Sequence, residues 1–143
     1  IGDWDKAEKD FLDSLKAKPN QAYVINYLAY SWIEKGINIE ESLKMLEQAN
    51  QLRSNDGYIT DSLGWALYKL KKYVKAKEFL KKAVQLMPSD PIVNDHFADT
   101  LWMNGEKLQA RYYWKYVLKL ENVEDDLKNK IIKKIIYGPT SLN

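Results

Sequence analysis

The chain has no cysteine, one histidine and two arginines among 143 residues. Without cysteine there is no disulfide and no thiolate metal site, and that absence leaves the compartment open. One histidine and no thiol also remove the Cys–His pair of nucleophilic catalysis and any multi-histidine metal centre. Glycine and proline number six and four, too few to supply the turns of an all-β fold. No glycine-rich phosphate loop occurs, and no apolar run approaches the about 20 residues that span a bilayer. Charge is nearly balanced at +2, so no polyanionic partner is obligatory. These absences point away from an enzyme, a cofactor and a resident metal. The chain also opens at Ile1 without a methionine, inside a stretch that reads as a helix. That is the expectation for an excised fragment, with any export signal or lipid anchor lying upstream.

What is present repeats itself. Ala7, Ser42, Ala76 and Ala110 stand 35, 34 and 34 residues apart. Pro19, Ser54, Pro88 and Asn122 keep the same steps, as do Leu28, Leu63 and Phe97, followed one residue later by Ala29, Gly64 and Ala98. An internal period of this size means stacked supersecondary units. Inside each period the apolar spacing is helical: Ile59, Leu63, Ala66, Leu67 and Leu70 in one segment, Tyr73, Ala76, Phe79, Leu80, Ala83 and Val84 in the next. The spacing predicts helices over 3–18, 21–35, 39–53, 56–70, 73–87, 90–104, 107–121 and 124–137. Asp56 and Asp90 suit N-caps, Pro91 suits the first helical turn, and Asn38 with Glu41 resembles a capping box. Gly36 and Gly105 fall between the paired helices of their repeats, where a positive φ is easily adopted. Gly64, costly in mid-helix by about 1 kcal/mol, is expected where two helices approach closely.

The run Leu63-Gly64, Leu67, Tyr73, Ala76, Leu80, Ala83, Pro88 resembles the tetratricopeptide repeat. That resemblance implies an all-α, right-handed α-solenoid of antiparallel helix pairs. Residues 1–21 would be the second helix of a truncated repeat, 22–56, 57–90 and 91–123 full repeats, 124–138 a capping helix and 139–143 a tail. The phrases GYITDSLGWALYKL and DPIVNDHFADTLWMNGEKLQARYYW are similar more narrowly to tetratricopeptide proteins of the bacterial, alphaproteobacterial, cell envelope. A periplasmic or envelope-associated location is what this likeness implies, with a cytoplasmic one left open.

Three features bear on function. In NDHFAD, Asp95 and Asp99 share one face of a helix, with His96 beside them. They lack a further orienting ligand, so they read as a solvated or groove-lining polar patch rather than a metal site. Lys69, Lys71, Lys72, Lys75, Lys77, Lys81 and Lys82 form a basic cluster on a turn and outward helix face. With arginine nearly absent, nucleic acid is not the expected partner. Trp32, Phe79, Phe97, Trp114 and Tyr73 occupy packing positions. The remaining faces of the first helices carry Tyr23, Asn26, Tyr27 and Tyr30; then Tyr58, Asp61, Trp65, Tyr68 and Lys69; then Asp95, His96, Asp99 and Trp102. In the family such faces line a concave groove that receives a peptide, and exposed tyrosine and tryptophan suit recognition.

The expected function is therefore a non-catalytic scaffold that binds a protein or peptide in this groove. A purely structural role in a longer envelope protein or a homo-oligomer, joined through the exposed N-terminal half repeat, is the alternative. The acidic end contributed by Asp95 and Asp99 argues against a clamp for a free C-terminal carboxylate. Leu127, Ile131, Ile132, Ile135 and Ile136 read as one stripe that caps the pair at 90–121, with lysines around it. A membrane-surface helix is the rival reading of that stretch.

Overall fold

In the structure, a computed structural model describing residues 2–139, eight helices follow one another without a strand among the described residues. They are α1 (Gly2–Ala17), α2 (Ala22–Lys35), α3 (Ile39–Leu52), α4 (Gly57–Lys69), α5 (Tyr73–Leu86), α6 (Pro91–Met103), α7 (Lys107–Lys119) and α8 (Asp125–Tyr137). Each boundary lies within two residues of the expectation. The end of the expected tail, 140–143, falls outside the described residues.

The pairs α2/α3, α4/α5 and α6/α7 stack in sequence, and the first helices α2, α4 and α6 lie side by side as one layer. This is the all-α helical-repeat solenoid. Leu28, Leu63 and Phe97, one repeat apart, are all buried, as are Ala29, Gly64 and Ala98 beside them. A Cβ on Gly64 would sit 2.6 Å from Cγ of Leu80, so the missing side chain is what lets α4 approach α5. Residues 59–68 and 93–101 are buried on every side, because α2, α3, α5 and α6 pack around α4, and α4, α5 and α7 around α6 with Lys134 of α8 reaching in.

The turns repeat as well. Gly36, Lys71 and Gly105 adopt left-handed conformations with φ of 71°, 61° and 83°. In each case the next amide donates back across the turn: Ile37 to Trp32, Lys72 to Leu67 and Glu106 to Leu101, at 3.0, 2.9 and 2.9 Å. Glycine makes that turn freely; Lys71 makes it at a conformational cost of about 1–2 kcal/mol. Asp56 accepts from the amides of Tyr58 and Ile59, and Asp90 from that of Val93, so both N-caps form as expected. Asn38 does not. It is itself left-handed, with φ 50° and no side-chain cap bond. Without that bond the expected capping box with Glu41 is not formed.

At the N-terminal end α1 packs chiefly on α2 and has no fully buried residue. Trp4 and Phe11 remain half-buried, Phe11 against Tyr27 at 5.3 Å between ring centroids, and Lys35 sits 4.9 Å over the Trp4 ring. Glu8 accepts from Nε1 of Trp32 at 2.6 Å. At the other end α8 lays Leu127, Ile131 and Ile135 toward α7, while Ile132 and Ile136 are 48% and 60% exposed. The single isoleucine stripe is thus divided between two faces, since positions one residue apart on a helix point about 100° away from each other. No helix among the described residues is long and apolar enough to cross a membrane.

Candidate functional site

Asn26, Asp61 and Asp95 occupy one repeat position on the inner side of α2, α4 and α6. Their surroundings differ from one end of the layer to the other. Toward the C-terminus the face is filled by the chain's own side chains. Nδ1 of His96 donates to Asp61 at 2.9 and 3.2 Å to the two carboxylate oxygens. The imidazole lies under Trp65, 3.9 Å between centroids and 14° from parallel, and Trp65 stacks in turn on Tyr68 at 4.5 Å. Burial works against a charge on His96, but the charge and hydrogen bond of Asp61, with Asp95 and Asp99 behind it, hold its pKa above the ordinary value.

One repeat further on, Lys134 of α8 reaches Asp95 at 3.0 and 3.1 Å and Asp99 at 3.0 Å, and Trp114 donates from Nε1 to Asp95 at 2.9 Å. Lys134, Asp95 and Asp99 are 7%, 7% and 1% exposed. Burial, then the neighbouring Asp95, push the Asp99 carboxyl up to about 7 against the opposing pull of Lys134. Burial works against the charge of Lys134 too, and the two carboxylates more than offset it. The solvated acidic patch expected at Asp95, His96 and Asp99 is therefore a buried, cation-matched cluster. Lys134, which the sequence places in the basic ring around α8, faces inward. It follows Ile131 by three residues and so shares its side of the helix.

Toward the N-terminus the same layer is open. A groove of about 730 Å³ runs between α2, α4 and the start of α6, with Trp4 of α1 at its margin. Tyr27 and Tyr58 stand in it 64% and 60% exposed. Tyr30 forms its floor, hydrogen-bonded to Glu34. Burial first, then the charges of Glu34, Asp61 and Asp90, raise the Tyr30 hydroxyl far above its ordinary pKa. The side-chain oxygen of Asn26, also in the lining, is buried without a hydrogen-bond partner among the described residues.

Of the residues proposed from sequence, Asn26, Tyr27, Tyr30, Tyr58 and Asp61 line this groove. Tyr23 lies outside its lining, donating to Asp56 at 3.1 Å beneath Arg53. Trp65, Tyr68, Asp95, His96 and Asp99 are buried in the filled half. Lys69 sits 5.0 Å over the Trp65 ring. Trp102 is drawn out of the layer altogether: it packs on Trp114 and Gly138, with Lys107 and Arg111 at 4.9 and 5.0 Å from its ring. Sequence reasoning missed Glu34, Lys35, Asp90 and Trp4 as lining residues. Asp90 reads as a cap and nothing more, and nothing local in the last turn of α2 marks Glu34 and Lys35 as inward-facing.

Comparison with known proteins agrees with this architecture. A tetratricopeptide repeat family model matches residues 1–123, the stretch before α8. A tetratricopeptide repeat-containing protein of Pseudomonas aeruginosa is 29% identical over 85 residues, 59% of this chain and 14% of that protein. The type IV pilus assembly protein PilF of the same organism is 28% identical over 111 residues, 76% of this chain and 43% of that one. The chain therefore spans less than half the length of either relative. Among solved structures, a thermophilic tetratricopeptide repeat protein of Thermus thermophilus superposes with a TM-score of 0.76 at 16% identity, covering 91% of this chain and 72% of that one. At that identity the likeness speaks for the fold.

Proposed function

The chain belongs to the tetratricopeptide repeat family, whose members are generally protein-interaction scaffolds, and from that premise we propose that it binds a polypeptide segment in the open groove between α2, α4 and α6 without catalysing a reaction. The observation that carries this reading is the pair of exposed tyrosines, Tyr27 and Tyr58, in a groove of about 730 Å³. Rings of this size with two rotatable bonds present contact area at small entropic cost, which favours recognition. The residues with acid–base chemistry support the non-catalytic half of the reading. His96, Asp95, Asp99 and Lys134 are buried in the filled half of the layer, and Asp61 at the groove is tied up by His96.

A Tyr27→Ala, Tyr58→Ala double variant tests it. Both rings are mostly exposed, so the variant keeps its helical content, and a thermal melt checks that loss of the Phe11–Tyr27 contact leaves it folded. In an affinity capture from the source cell's extract, partners retained by the wild type and lost by the variant support the groove. Identical partner sets overturn it. A structural role through self-association has its own observation, the half-buried Trp4 and Phe11 with Leu12 44% exposed on α1. Sedimentation of the wild type against Leu12→Lys distinguishes that role, since only an α1 interface is sensitive to the change.

A further inference from the structure

We propose that the inner end of the groove selects a lysine or arginine side chain of the bound segment, a specificity that rests on the groove reading above. Three carboxylates, Glu34, Asp61 and Asp90, line the groove. Half-buried Tyr30 lines the same groove, and the charges of all three bear on its hydroxyl. Asp61 is matched by His96. Glu34 and Asp90 have no ion-pair partner among the described residues; Asp90 accepts from the Val93 amide at 3.0 Å, and Glu34 from Tyr30. The one cation in the described lining, Lys35, is held over Trp4. The lining is thus net negative, and the exposed rings of Tyr27 and Tyr58 stand at the same groove. A cationic side chain offers what this site lacks: donors for the carboxylates and an aliphatic or planar stem for the rings.

The molecule contains its own precedent. Asp95 is the residue that Asp61 becomes one repeat later, and there the chain inserts Lys134 between Asp95 and Asp99. Where α8 continues the stack, a lysine fills the acidic inner face; at the groove His96 meets only Asp61, and Glu34 and Asp90 have no such partner among the described residues. An acidic or carboxylate-terminated segment meets like charge at Glu34 and Asp90 and is disfavoured.

The test uses the whole 143-residue chain and fluorescein-labelled nonapeptides of one aliphatic and aromatic framework, with lysine, arginine, norleucine, citrulline or glutamate at the central position. Binding is measured for the wild type, Glu34→Gln, Glu34→Lys and the Tyr27→Ala, Tyr58→Ala variant. Glu34 is exposed, and equal melting temperatures establish that its variants fold. The expected result is binding of lysine and arginine peptides that weakens with salt and falls about three- to tenfold in Glu34→Gln. It falls further in Glu34→Lys, while norleucine and citrulline peptides bind more weakly and ignore both changes. If binding depends on the tyrosines but treats lysine and norleucine alike, cation selection is overturned and the groove reading stands. If glutamate peptides bind best, cation selection is overturned as well. If no peptide binds, both readings fall.

Discussion

The two ends of the inner layer start from the same repeat position and finish differently. At the C-terminal end Asp95 and Asp99 are closed over by Lys134, with Trp114 hydrogen-bonded to the first of them. At the N-terminal end the matching face holds Asn26, Tyr27 and Tyr30, and it remains a groove. Between them the Asp61–His96 pair, roofed by Trp65, marks where filling stops. The difference teaches that a repeat position does not carry a role by itself. Carboxylates on first helices are core where another helix supplies a partner, as at Asp61 and Asp95, while Glu34 of α2, with no ion pair among the described residues, stays exposed. A buried ion pair adds little stability over an apolar replacement, yet removing one partner is costly. The sealed end should therefore be fragile to single changes, and the open end tolerant of them.

The largest effect that would break this contrast is at Lys134. Lys134→Met leaves two buried carboxylates unmatched and is expected to cost about 3–5 kcal/mol, read as a fall in the thermal or urea midpoint. Adding Asp95→Asn and Asp99→Asn should recover much of the loss. An unchanged midpoint in the single variant would show that the cluster is open to water after all.

Gly64 lies between the two ends, against Leu80, and serves both. Gly64→Leu should overpack the α4/α5 contact by about 1–3 kcal/mol and lower the midpoint. A melt matching the wild type would refute the close approach.

A smaller, pH-dependent effect belongs to the sealed end. The folded His96 holds its proton above the ordinary value of 6.5. Its stabilisation is complete below 6.5 and is lost as pH rises through the folded value. Asp99 acts in the same sense: the folded carboxyl keeps its proton up to about 7 against 3.8 for the unfolded chain, so stability declines as pH rises across that window. The melting temperature should fall as pH rises from 3.8 to about 7 and go on falling above 6.5 as His96 loses its proton, and His96→Gln should flatten the part above 6.5. A wild-type midpoint that climbs over the range would overturn the assignment.

The smallest effect is at the open end. Tyr58→Ala should shift stability by less than about 0.5 kcal/mol, as expected of a ring 60% exposed. Trp65→Ala, about two helical turns further along α4 but 4% exposed, should cost about 3–5 kcal/mol. Comparable losses in the two would erase the distinction between the ends.

Much of the candidate site was legible and part was not, for reasons that particular residues show. Asn26, Tyr27, Tyr30, Tyr58 and Asp61 could be found from sequence because the repeat assigns them to first helices and helical spacing assigns them to one face. Trp65, Asp95, His96 and Asp99 satisfy the same two criteria and are nevertheless sealed. The closing residue, Lys134, lies 35 and 39 positions from the carboxylates it meets, beyond the reach of any local pattern. Trp102 escapes for the same reason: its partners are Trp114 and Gly138, one on the following helix and the other past the end of α8.

What the sequence by itself determined is the periodic part of the molecule: the eight helices of the described residues, their pairing, the Asp56 and Asp90 caps, the glycine turns and the small residues at 29, 64 and 98. Each of these follows from chemistry acting within one repeat or between adjacent ones, where propensity, capping and 34-residue spacing are read directly. Tertiary structure alone decided which half of the inner layer is filled, that Lys134 and His96 are buried against carboxylates, and that Glu34 and Asp90 line one groove with Tyr30. Burial and charge matching are sums over everything that surrounds a group. For these residues the deciding neighbours come from other helices, so their roles appear only when the stack is assembled.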